Sequence, residues 1–155
     1  MFAQLKKIFG QELARDGLLE QREPIETLTA ALLIELSRSD FSESELEARA
    51  IRQILRDRFQ LDESAVDRLL ADAKQRADKA TSLHEFTHRL NQELPETEKL
   101  AIVEMLWRVS HADGRIDKHE EHLIQRIAGL LHISDRDRIR LKLKVVVDGS
   151  QPGES

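Results

Sequence analysis

Residues 110–124, SHADGRIDKHEEHLI, gather Asp113, Asp117, Glu120, Glu121, His111, His119 and His122 around one glycine, Gly114. Carboxylates and imidazoles at this density can hold a divalent cation, move protons, or solvate the start of a helix. The chain has no cysteine, so any metal must be held by oxygen and imidazole nitrogen. An EF-hand needs D-x-[DN]-x-[DN]-G and a glutamate at its twelfth position; DGRIDKHEE lacks the inner acids and the length. The HEEH at 119–122 spaces its histidines at i and i+3 where the zinc-protease pattern needs i and i+4, and it reads as a solvated helix face. Glu85 and His88 offer the Glu-x-x-His spacing of di-iron bundles, but only once. Glycine-rich phosphate loops and a G-x-S-x-G elbow are missing.

A second acidic junction lies 73 positions earlier. Shifted by that amount without a gap, Leu33 falls on Leu106, Ser37 on Ser110, Asp40 on Asp113, Glu47 on Glu120, Ile51 on Ile124 and Ile54 on Ile127. The histidines are not shared, because Arg38, Leu46 and Arg49 stand in their places; the D-x6-E spacing is. The later helix has its apolar stripe at Leu123, Ile124, Ile127 and Leu131, so Glu120 projects from the core-facing side, and Glu47 stands in the same relation to Ile51 and Ile54. A carboxylate facing the core is costly unless a base, hydrogen-bond donors or a cation pairs with it. Glu120 can also complete a capping box begun by Asp117, whereas Glu47 is expected to have no capping role. Two similar hairpins packed about a local two-fold would bring Asp40, Glu47, Asp113 and Glu120 to one end of a bundle. There they would repel and raise one another's pKa unless Ca²⁺, Mg²⁺ or a basic partner neutralised them.

Helices must position these groups. Apolar residues recur at helical spacing almost throughout, and strand-like alternation is absent, so the fold class is all-α. Phe2, Leu5, Ile8, Phe9 and Leu13 mark a first helix ending near Gly17; two lysines are a thin basic signal, and the stripe is read as core packing rather than membrane binding. Pro24 opens a helix through Asp40, and Ser42 with Glu45 caps one over 43–59. Asp62 caps the next, Ser82 with Glu85 one over 83–94, and Pro95 opens one over 96–113 whose Trp107 anchors the core. Asp117 with Glu120 starts 118–132, and Ser134 caps a last helix before GSQPGES. Its segment RDRIRLKLK alternates basic and apolar residues, which suits a packed surface helix able to meet an acidic partner or an anionic membrane face.

At 155 residues, 40% hydrophobic and 34% charged, the chain fits one soluble domain over 1–146, with halves at about 24–72 and 95–144 and a flexible tail at 147–155. A net charge of -5 and 4% aromatic residues argue against a nucleic-acid surface. The start lacks the continuous apolar core of a signal peptide and no stretch is apolar enough to span a bilayer, so a cytoplasmic location is expected.

ALLIELSRSDFSESELEARAIRQILRDRFQL in the first half and MLWRVSHADGRIDKHEEHLIQRIAGLLHIS in the second resemble the tellurite-resistance TerB family, over about Ile25 to Leu141. The A-D-G element, the acidic helix start after it and RIAGLLHIS carry most of the likeness. It implies a compact bundle with two pseudo-symmetric halves, an acidic surface proposed to take a metal ion, bacterial metal or chemical stress, assemblies near the membrane, and no catalysis. In the first half Phe41 and Ser42 replace Gly114 and Arg115, which leaves Asp40 less secure than Asp113 as a ligand.

The expectation is a non-enzymatic bundle of seven to eight helices that takes a divalent cation, Ca²⁺ or Mg²⁺, through Asp40, Glu47, Asp113 and Glu120. The alternative is a protein-interaction scaffold in which those acids are structural or dock a basic partner. A hydrolase with paired carboxylates flanking a deep cleft comes third. The sequence leaves the natural cation, the partner and the oligomeric state open.

Overall fold

A computed structural model describes residues 23–39 and 44–149. Among them are seven helices and no strand: α1 (Ile25–Ser37), α2 (Glu45–Phe59), α3 (Glu63–Lys79), α4 (His84–Glu93), α5 (Glu96–Ser110), α6 (Lys118–Leu130) and α7 (Asp135–Gly149). The all-α bundle is as expected; the helix expected over Phe2–Leu13 lies outside the described residues. No described helix is long and apolar enough to cross a membrane.

α1 is apolar on almost every side, and Thr27 to Ile34 and Leu36 are all buried, which makes it the central helix. It lies against α2, α3, α4, α5 and α6. α5 is the second inner helix, in contact with α1, α2, α6 and α7. Both start at a proline standing just outside the helix rather than in its first turn. Pro24 accepts from the N–H of Thr27 (3.0 Å) and Leu28 (3.2 Å), and Pro95 from Glu98 (3.1 Å) and Lys99 (3.2 Å). Trp107 is buried as expected, and its Nε1 donates to the Arg138 carbonyl at 3.0 Å, tying α5 to α7.

The same device closes α2 and α6. Gln60 (φ 52°) and His132 (φ 62°) turn left-handed, and the next N–H returns to the carbonyl five residues back: Leu61 to Arg56 (3.0 Å), Ile133 to Ala128 (2.9 Å). The following helices are then capped alike, Asp62 accepting from Ala65 N–H (2.7 Å) and Ser134 from Asp137 N–H (3.1 Å). These pairs stand 72 positions apart (132 − 60), so the gapless 73-residue register slips by one at the end of α6.

The last helix ends within one residue of its expected end. α7 continues through Gly149, three residues beyond the expected domain boundary at 146, with Leu141 and Val145 packed inward. A β-carbon on Gly149 would come within 2.9 Å of the His111 ring, so this helix end lies close against the end of α5. On its other side α7 leaves Ile139 46% and Leu143 57% exposed.

Candidate functional site

The start of α2 differs from expectation. Its cap is Ser44, whose Oγ accepts from the Glu47 N–H at 3.2 Å; the helix begins at Glu45, and Ser42 lies outside the described residues. Ser44-x-x-Glu47 is therefore the capping pattern, and Glu47 holds the third helical position. This corrects the expectation that Glu47 has no capping position. Asp117 caps α6, accepting from the second helical residue rather than the third, and Glu120 also stands third. Both glutamates face inward as expected, Glu47 2% and Glu120 1% exposed.

Asp117 accepts from the His119 N–H (3.0 Å), the second residue of α6. One oxygen of Glu120 turns back across the loop, where Ser110 Oγ, at the end of α5, donates to Oε1 at 3.5 Å, the long limit of a hydrogen bond. Ser37, the counterpart of Ser110, instead donates to the Ile34 carbonyl of its own helix (2.9 Å). The A-D-G loop is an Asx turn: Asp113 Oδ1 accepts from the Arg115 N–H at 3.0 Å. Gly114 has φ +87° and open space around its α-carbon, so backbone conformation rather than crowding requires glycine there.

Asp40 lies outside the described residues. Among the described residues no three carboxylate or imidazole groups stand close enough to hold one metal ion, so Glu47, Asp113 and Glu120 do not form a site by themselves. HEEH is only partly a solvated face: His119 and His122 are exposed and Glu121 pairs with Lys142, but Glu120 is inside.

Glu85 closes the start of α4. Its Oε2 accepts from Thr81 N–H (2.7 Å), Thr81 Oγ1 (2.6 Å) and Ser82 N–H (3.0 Å). The Thr81 hydroxyl and amide, with Ser82 N–H and Arg76 behind them, hold its carboxyl down to about 2. Arg76 lies between Glu23 (2.8 Å) and Glu85 (3.4 Å) in an open cleft of about 480 Å³, with its guanidinium 4.9 Å from the Phe86 ring centre. Two carboxylates joined by a guanidinium, one of them strongly acidic, are not an acid–base pair for hydrolysis.

His84-Glu85-Phe86-Thr87-His88 is an H-E-x-x-H pattern in the sequence that is not among the expected site residues. The third histidine near it, His132, comes close only because α4 packs on α6.

A family model described as Tellurite resistance protein TerB matches residues 26–143. No curated protein and no solved structure matches the chain.

Proposed function

Since the chain belongs to the TerB family, we propose that it acts as a non-enzymatic binding module in a bacterial response to metal or chemical stress, with its two acidic loop-to-helix junctions as the binding ends. One repeated arrangement supports this reading: Glu47 and Glu120 are each buried at the third position of a helix, each seven positions along the sequence after an aspartate, Asp40 or Asp113. The ligand we assign is a hard cation, Ca²⁺ or Mg²⁺, which takes carboxylate oxygens and offsets their repulsion. Asp40 has to join the other three for this to hold. Calorimetric titration of the metal-stripped protein with Ca²⁺, Mg²⁺, Mn²⁺ and Zn²⁺ tests it. Heat and a raised melting temperature with Ca²⁺ or Mg²⁺, lost in Asp40→Asn, are expected; no response to either hard ion ends the cation reading.

The Ser110–Glu120 contact and the Asp113 turn favour a second reading, in which the acids are structural keys of a protein-interaction scaffold. Glu47→Gln with Glu120→Gln separates the two. A cation site predicts lost binding in a fold that keeps or gains stability as repulsion is relieved. Structural keys predict a destabilised fold with no metal phenotype. Under either reading the partners we assign are proteins of a cytoplasmic assembly near the membrane.

A further inference from the structure

Arg49 and Arg108 line one open cleft of about 380 Å³, the first from α2 and the second from α5. Both are exposed, and among the described residues neither guanidinium has an ion pair. Each follows a glutamate by four positions, the helical spacing at which Glu and Arg ordinarily meet. Neither pair forms. Glu45 lines a different cleft, between α1, α2 and α3, and Glu104 pairs with Lys144 of α7 at 2.8 Å. Asp113, next to Ala112 at this end of α5, accepts from the Arg115 N–H within its own loop.

The rest of the lining is small, apolar or neutral. Leu46, Ala50 and Gln53 follow one another at helical spacing along α2, and Ala112 stands one turn after Arg108 at the end of α5. Leu46 is 50% exposed, while the other large exposed apolar side chains among the described residues all lie on α7. The two alanines keep the space between α2 and α5 shallow and narrow enough for the side-chain ridge of a third helix. No carboxylate lines this cleft, so a chain of net charge -5 turns locally positive there, over an apolar floor.

We propose that this groove docks an acidic amphipathic helix of a protein partner, with an apolar side chain of that helix on Leu46 and Ala50 and its carboxylates on Arg49 and Arg108. A guanidinium donates two parallel hydrogen bonds to a carboxylate, and an apolar stripe edged by acids matches a groove edged by arginines. The concave shape does not suit a flat bilayer, and an apolar floor offers nothing to a free phosphate ion. Nucleic acid would meet the negative charge of the whole chain. The assignment rests on the reading of the chain as a module with protein partners, and it does not depend on a cation at the acidic junctions. The two fail separately, because metal titration reads the junctions and peptide binding in EDTA reads the groove.

Fluorescence anisotropy in EDTA with two labelled synthetic peptides tests the groove. One peptide sets leucine and glutamate at helical spacing on a single face, and its twin carries glutamine for every glutamate. Binding of the acidic peptide and not of its twin is expected, weakening as salt is raised. Arg49→Gln/Arg108→Gln should lower the affinity about tenfold or more, and Leu46→Ser about threefold. All three side chains are exposed, so the melting temperature should hold, which circular dichroism checks. Arg136→Gln/Arg140→Gln removes the same charge from the exposed side of α7 and should leave the affinity within about threefold. A chain that binds neither peptide overturns the proposal. An affinity that falls less than about threefold in Arg49→Gln/Arg108→Gln also overturns it, leaving the protein-binding reading but not this groove. Equal losses in the two double variants reduce the effect to net charge and overturn it as well. So does displacement of the peptide by sodium phosphate beyond that by sodium chloride of equal ionic strength, or capture of phosphatidylglycerol vesicles through the same two arginines.

Discussion

Ser110 ends α5 and Glu120 begins α6, and the hydroxyl of the first donates to the carboxylate of the second inside the protein, both groups being almost wholly buried. The hydrogen bond, 3.5 Å long, spans the acidic loop between them. Ser110→Ala should cost about 1 kcal/mol and Glu120→Ala about 2 kcal/mol, the latter by emptying space as well as removing an acceptor. Because the two residues share one bond, the double variant should fall short of the sum by about 0.5 kcal/mol or more in urea unfolding. Strict additivity would show that the contact carries no coupling.

Glu85 should make stability depend on acid. Its folded carboxyl is held at about 2, below the unfolded value, so its contribution is present above the ordinary carboxylate pKa of about 4.5 and is lost as pH falls from there toward 2. In metal-free buffer, Glu85→Ala should cost about 1 kcal/mol at pH 7, the value of a helix cap. The gap between variant and parent urea midpoints should narrow below pH 4.5; a gap of constant size at pH 3 contradicts this.

Left-handed Gln60 and His132 each carry a β-carbon in a conformation that suits glycine. Gln60→Gly and His132→Gly should each stabilise the metal-free chain by up to about 1 kcal/mol, while Gln60→Val should destabilise it. Thermal melts decide the sign.

Leu33 and Leu106 are fully buried on the two inner helices. Either one changed to alanine should lose about 3 to 5 kcal/mol, the range for cavities in close-packed cores, and the two helices should be equally intolerant. A loss of less than 1 kcal/mol at either, measured by urea unfolding, would mean that its helix is not central.

Most of the fold could be read from the sequence because helix signals are local: apolar spacing, prolines before α1 and α5, and polar caps at Asp62, Asp117 and Ser134. The start of α2 could not. Ser42 and Ser44 are each followed three residues later by a glutamate, so two capping boxes were locally equivalent, and the burial of Glu47 selects the second. The end of α7 is legible to within one residue, since the glycine and polar residues of GSQPGES stop the apolar spacing that Leu141 and Val145 carry inward. Inward placement of Glu47 and Glu120 followed correctly from their distance to the next isoleucines. A meeting of four acids is not legible in the sequence, since convergence depends on how hairpins cross and not on any local spacing. The histidines show the same limit: His84 and His88 are a local pattern, but His132 joins them only through the contact of α4 with α6.

Trp107 is the chain's single tryptophan, and its indole is sealed between α5 and α7, bonded to Arg138 and covered by Lys142 at 5.7 Å. Its fluorescence is therefore an intrinsic gauge of one event, the seating of α7. During unfolding, emission that shifts to the red while helical dichroism persists would mark α7 lifting away ahead of the rest, without a label or an added probe.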